Sequence, residues 1–201
     1  MNCTLHRVLK QEIKNLIDNK APERDIQEFL KEGQNMCILA EVYANPKEEY
    51  IIFSEFPIGE NKADFVIFTS RSKMDIVIIE IKGADFYFIN SDGTISHYIN
   101  SAIQQIVNHF GHIRENYEYF RKFVHTARES VEKGMIRYNA LIGPRGFLYC
   151  DPCKEILYRG VVIGGKTRDD KIESKLKWKM EESYNYRIQL ESWDSWFSKV
   201  I

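Results

Sequence analysis

The sequence predicts an α/β fold with a mixed central sheet and helices on both faces, and three observations carry that expectation. Helical and strand periodicities alternate along the chain. Two strand-like runs, Ala63 to Phe68 and Ile76 to Lys82, flank a polar turn at Ser70 to Lys73, as a hairpin does. The second run is apolar on both parities, with Ile76 and Ile78 on one and Val77, Ile79 and Ile81 on the other, so the sheet is covered on both sides.

With 201 residues, 44% of them hydrophobic and 13% aromatic, the chain fills one core and is short for two. A formal net charge of −1 gives no global attraction to a polyanion, so any nucleic-acid contact must come from a local face. No apolar run reaches the roughly 18 residues of a membrane span, and Cys3, His6, Arg7 and Lys10 interrupt the start, against a secretory signal. The expectation is a cytoplasmic protein with no membrane contact. Cys150 and Cys153 are the one close cysteine pair, and with Cys3 and Cys37 remote they read as a reduced loop pair, not a zinc site.

In chain order, Leu5, Val8, Leu9, Ile13, Leu16 and Ile17 form the apolar stripe of an amphipathic helix over residues 1–20, for packing or for contact with a partner subunit or an upstream domain. The main domain is expected over 21–201. Ala21-Pro22 opens its first helix, where Glu23 and Asp25 suit the positive end and Glu23 lies one turn from Gln27. Tyr50 to Phe56 reads as the first strand, ending at a Pro57-Gly59 turn. The hairpin follows, then a short Phe86 to Ile89 strand and an Asp92-Gly93 turn. Ile103, Ile106, Val107, Phe110 and Ile113 mark a helix from about Ser101 towards Phe123. Gly160 to Gly165 reads as a buried strand, not a phosphate loop, because the spacing to Lys166 and Thr167 lacks the required first glycine. A polar helix from Asp169 to Tyr184, a strand from Tyr186 to Leu190 and a helix from Trp193 to Phe197 close the order.

Chemistry concentrates where the covered hairpin carries charge. Asp64 opens one strand, and Glu80 and Lys82 end the other, at the same end of the pair because antiparallel strands run back on each other. Glu80 and Lys82 share a face, roughly 7 Å apart along the strand. Charges so placed are costly unless paired or bound to metal. Two carboxylates there make a hard oxygen site for Mg²⁺ or Mn²⁺. Lys82 could orient or deprotonate an attacking water, or neutralise charge growing on a phosphorane; the spacing leaves these roles open. Glu55 is a third carboxylate near this end. Gln105, at the margin of its helix's apolar stripe, could hydrogen-bond a water or a phosphate, with Gln104 as the other register. His109, His112 and His125 read as helix-surface residues. The basic run from Arg121 through Lys122, Arg128, Lys133 and Arg137 to Arg145 reads as a solvated helix face, with phosphate contact as the other use.

Asp64, Glu80 and Lys82 in this strand context resemble the PD-(D/E)XK nuclease signature, with Ala63 where the proline would stand. More narrowly, Phe56-Pro57-Ile58-Gly59, Ala63-Asp64-Phe65, Glu80-Ile81-Lys82-Gly83-Ala84 and Ala102-Ile103-Gln104-Gln105-Ile106 resemble the nuclease domain of Shedu anti-phage proteins, a likeness running from about Glu23 to Trp196. An opening helix with Glu23, Gln27, Phe29 and Leu30 is similar too. The resemblance implies a restriction-endonuclease-like core of helix, three-stranded antiparallel meander, helix and strand. It implies a metal held by Asp64 and Glu80, with the Ile81 carbonyl and Glu23 as further ligands, and a supporting Gln105. It also implies DNA as substrate, nicking in defence against phage, and assembly into a homo-oligomer. The contrasting expectation is a catalytically silent nucleic-acid-binding or assembly module that keeps the fold.

Overall fold

The computed structural model describes residues 3–185 and 187–200, with side chains from Arg7 onward. Tyr186, assigned above to a strand, and the side chains of Cys3, Leu5 and His6 lie outside what is described. Three helices come first, α1 (Cys3–Asp18), α2 (Glu23–Lys31) and α3 (Cys37–Tyr43). The meander β1 (Tyr50–Ile58), β2 (Asn61–Thr69) and β3 (Asp75–Ile81) follows, then α4 (His97–Glu115) and α5 (Tyr117–Glu132). The chain closes with β4 (Leu141–Ile142), β5 (Leu157–Ile163), α6 (Asp170–Ser183), β6 (Ile188–Glu191) and α7 (Trp193–Phe197). The six-stranded sheet runs β4-β1-β2-β3-β5-β6, antiparallel through the meander and parallel from β3 to β6. The expected α/β class and its helix, meander, helix, strand order are both present.

Each face of the sheet has its own core. Ile51, Phe53, Val66, Phe68, Ile76 and Ile78 pack under α4 and α5, against Ile99, Ile103, Ile106, Phe120 and Val124. The opposite parity, Ile52, Phe65, Ile67, Val77, Ile79 and Ile81, packs on Ile13, Ile26, Leu30, Trp193 and Trp196 from α1, α2 and α7. Burying both parities is what the continuous apolar strands require.

Four local readings change. The helix expected from Ser101 to Phe123 begins earlier, because Ser96 caps it by accepting from the Ile99 N–H. It also breaks in two at Asn116, whose φ of −122° and ψ of 34° leave the helical region. The Phe86 to Ile89 stretch contributes single bridges, Tyr87 to Lys166 and Ile89 to Ile95, since the chain turns back at Asn90. β4 was not foreseen, and two residues carry no periodicity to read.

The end of β3 is held from several sides. The Lys82 N–H donates to Ile163 at 2.8 Å, and the Trp193 indole N–H donates to the Lys82 carbonyl at 2.9 Å. The Ala84 N–H donates to Ala21 at 2.8 Å, tying the following loop to the start of α2. Gly83 permits that approach, since a Cβ there would lie 2.9 Å from the Glu23 nitrogen. Trp193→Phe removes the indole donor while keeping an aromatic in the core. It is expected to destabilise the fold by about 0.5–1.5 kcal/mol in urea titration, the worth of one hydrogen bond to the part-buried Lys82 carbonyl.

Candidate active site

The ladder between β1 and β2 pairs Ser54 with Phe65 and Phe56 with Ala63, and skips Glu55 and Asp64 between them. Glu55 sits there at φ +53°, a left-handed conformation uncommon for a non-glycine residue. The strand changes face at this point: Ile51 and Phe53 before it, and Phe56 and Ile58 after it, all enter the same core. The bend is therefore at Glu55 and not at Pro57, which stays paired with Lys62. Glu55 itself turns outward and forms an ion pair with Lys31.

Across the other edge of β2, Phe65 pairs with Ile79, so the register carries Asp64 to a position opposite Glu80. Cross-strand neighbours stand about 4.5–5.5 Å apart at Cα. The Asp64 Oδ2 accepts from the Ile81 N–H at 2.8 Å, a side chain taking the place of a ladder carbonyl. Burial pushes the Asp64 carboxyl up to about 7, and the neighbouring Glu80 charge adds to that. Burial likewise raises Glu80 to about 7, against the opposing pull of Lys82 and of hydrogen bonds from Asp64.

Lys82 reaches from the end of β3 to α2, where its Nζ lies 3.1 Å from Glu23 Oε1. The same Glu23 oxygen accepts from Gln27 at 3.2 Å, and Gln27 in turn accepts from Lys31 at 3.4 Å. Residues 23, 27 and 31 lie one above another on a helix face. A single polar row thus runs from Lys82 along α2 to Glu55.

The opposite wall comes from α4. His109 is buried, with Nε2 3.2 Å from Glu80 Oε1 and Nδ1 without a hydrogen-bond partner. Burial holds its imidazole below the ordinary value. A neutral ring donating Nε2–H to an ionised Glu80 leaves Nδ1 a bare acceptor. Gln105 is exposed one turn earlier and shares with His109 a hollow of about 140 Å³ lined also by Asn61, Lys62 and Asn108. Gln104 is exposed and donates to Asn108 at 3.0 Å.

The structure thus brings Asp64, Glu80, Lys82 and Glu23 into one electrostatic group, with Gln105 at its margin. His109, read above as a surface residue, belongs to this group. Its signal was available, since it falls three residues after Ile106 and four before Ile113, on the apolar stripe. His125 is also buried, not superficial. Arg128 is buried as well, donating to Glu132 at 3.2 Å and to the Leu148 carbonyl at 3.3 Å, so it is no part of a solvated face.

Among the described residues, no three His, Cys, Asp or Glu side chains are arranged as a ready metal cage. The donor set that does exist, two carboxylates both raised by burial, with Asp64 raised further by the Glu80 charge, suits a hard cation that completes its shell with water or a backbone carbonyl. Binding one would offset the repulsion that Asp64 feels from Glu80 and that both acids feel from Glu23.

Fold and site together define an α/β domain with a paired-carboxylate centre at the rim of a buried sheet. A family model described as the C-terminal part of the Shedu protein SduA matches residues 20–197, and the chain belongs to that family. Membership implies a part in anti-phage defence. No curated protein matches the sequence. No helix among the described residues is long and apolar enough to cross a membrane.

The raised carboxyls set a pH dependence. Asp64 has a folded value near 7 against an ordinary 3.8, so the native state holds its proton longer than the unfolded chain. The stability this contributes is whole below about pH 4 and is lost as pH rises through about 7. His109, held low, acts in the opposite sense, so the informative quantity is a difference. Without divalent metal, wild type is expected to lose on the order of 2 kcal/mol relative to Asp64→Asn between pH 4 and pH 8 in denaturant titrations. Parallel curves would show that the carboxyl is not perturbed.

Proposed function

We propose that this chain is a metal-dependent DNA endonuclease domain of the PD-(D/E)XK type, which nicks phosphodiester bonds in anti-phage defence. The observation that carries this reading is the pairing of a part-buried Asp64 with a buried Glu80 across adjacent strands, with the Lys82 ammonium beside them. A carboxylate pair of this kind has no packing advantage over apolar residues, and it suits Mg²⁺ or Mn²⁺.

A bound divalent cation would supply Lewis-acid polarisation of the scissile phosphate. The Asp64 and Glu80 carboxylates would hold it, with the Ile81 carbonyl a further oxygen at the same strand end. Two contacts fix the ligands in advance: the Ile81 N–H orients Asp64, and His109 orients Glu80. Glu23 serves by holding Lys82, and its place as a direct ligand is the weaker assignment because its oxygen is already shared by Lys82 and Gln27. Of the roles open to Lys82, charge neutralisation or orienting the water fits better than proton abstraction. An ammonium in contact with a carboxylate is a donor of charge and hydrogen bonds, not a proton acceptor. Gln105 lies where its amide can steady a phosphate entering past α4.

Plasmid nicking tests the reading. With Mg²⁺ or Mn²⁺ the wild type is expected to convert supercoiled to open-circle DNA and to stop on chelation. Lys82→Ala and Glu80→Gln should each lose roughly a hundredfold or more in rate. Wild type that binds DNA but never cuts it would assign the chain to the silent module instead. Independently of cleavage, millimolar Mg²⁺ should raise the melting temperature of wild type and not of Asp64→Asn, since a ligand bound only by the native state stabilises it.

A further inference from the structure

Three linked hollows follow the seam between the β1–β2 hairpin and the helices α4 and α5. The first is the 140 Å³ hollow of Gln105 and His109 described above. Asn61, Asn108 and His109 also line the second, which continues past His112 and Arg114. His112 is shared again with the third, a hollow of about 170 Å³ walled by Pro57, Tyr119, Phe123 and Tyr138. Shared walls set the three in a line, a broken groove that starts at His109, the Glu80 partner, and ends at the junction of the two helices.

The groove changes character along its length. Its middle sets Lys62 and Arg114 against Glu60 and Glu115, so it offers phosphates little net attraction. Its far end is aromatic. Phe56 is fully buried there and packs beneath both Phe123, at 5.6 Å between ring centroids, and Tyr138, at 5.3 Å. Tyr138 sits at φ +48°, a conformation that a bulky residue rarely adopts, and its ring is nonetheless held against this wall. Gly59, at φ +67° on the hairpin tip, lets the tip close on α4, since a Cβ there would strike the His112 ring. Tyr119 forms the outer wall and is 74% exposed, an aromatic surface with room for a partner.

We propose that the third hollow is a nucleobase pocket, taking one unpaired base of a DNA strand whose backbone lies along the groove towards Asp64 and Glu80. Every base has a π-face, and stacking on aromatic side chains holds a strand without reading its sequence. A hollow of 170 Å³ admits one ring system and not a base pair. The near-neutral groove leaves stacking as the main source of grip. This inference rests on the nuclease reading and narrows its substrate to DNA that carries unpaired bases.

Fluorescence anisotropy in EDTA tests it, using a fluorescein-labelled single-stranded oligonucleotide and a blunt duplex of the same sequence. Wild type is expected to bind the single strand more tightly than the duplex. Tyr119→Ala should weaken single-strand binding roughly fivefold to a hundredfold, the cost of one stacked base, and Tyr119→Phe should restore it. Equal single-strand binding by wild type and Tyr119→Ala, or a preference of wild type for the duplex, overturns the pocket. Plasmid nicking by wild type, run alongside, separates the two readings. Cutting without a Tyr119 effect removes only the pocket, whereas Tyr119-dependent binding without cutting keeps the pocket and removes the nuclease.

Discussion

The arrangement of the domain turns on one contact, the acceptance of the Ile81 N–H by the Asp64 carboxylate. An antiparallel ladder would ordinarily give that N–H a backbone carbonyl. Here the ladder is broken on the β1 side at Glu55, and a side chain completes it on the β3 side. That exchange satisfies a buried donor and at the same time holds an acid beside Glu80 in a place with little water. The repulsion this creates is offset by the surrounding fold, which clamps the strand ends from α2, from β5 and from α7. A site of this type has its strain built in before any ligand arrives.

The two walls of the site do different work. On α2, the row of Glu23, Gln27 and Lys31 is a relay of hydrogen bonds that ends in Lys82 and fixes the direction of its ammonium. On α4, His109 faces the far oxygen of the carboxylate pair from within an apolar stripe. The acids are thus gripped by backbone and imidazole, and the amine by a helix of its own.

Much of this was legible from residues alone. Strands apolar on both parities required a sheet with two cores, and the Glu80 and Lys82 positions at the end of such a strand marked the rim. Where the reading failed, the cause was specific. His109 looks superficial by its polarity alone, while its place on the apolar stripe of α4 draws it inside. The direction of Glu55 depended on a positive φ that no residue type there announces, since glutamate seldom adopts one. The break at Asn116 lies inside a run whose periodicity continues across it. Arg128 sits in a basic run, yet its guanidinium is folded inward among Glu132 and the Leu148 carbonyl. Local pattern shows which face a residue can take, and tertiary partners decide whether a polar one is drawn inside.

The indole of Trp193 bears on the order in which the centre is completed. Its N–H closes on the carbonyl of Lys82, so a residue near the end of the chain secures one that emerges from the ribosome much earlier. The meander can form during synthesis, yet its rim stays unlatched until α7 has been made. A copy that stopped before α7 would keep the acids paired through the β2–β3 ladder, yet the Lys82 carbonyl would lack its indole donor and the rim would rest on β5 and α2 alone.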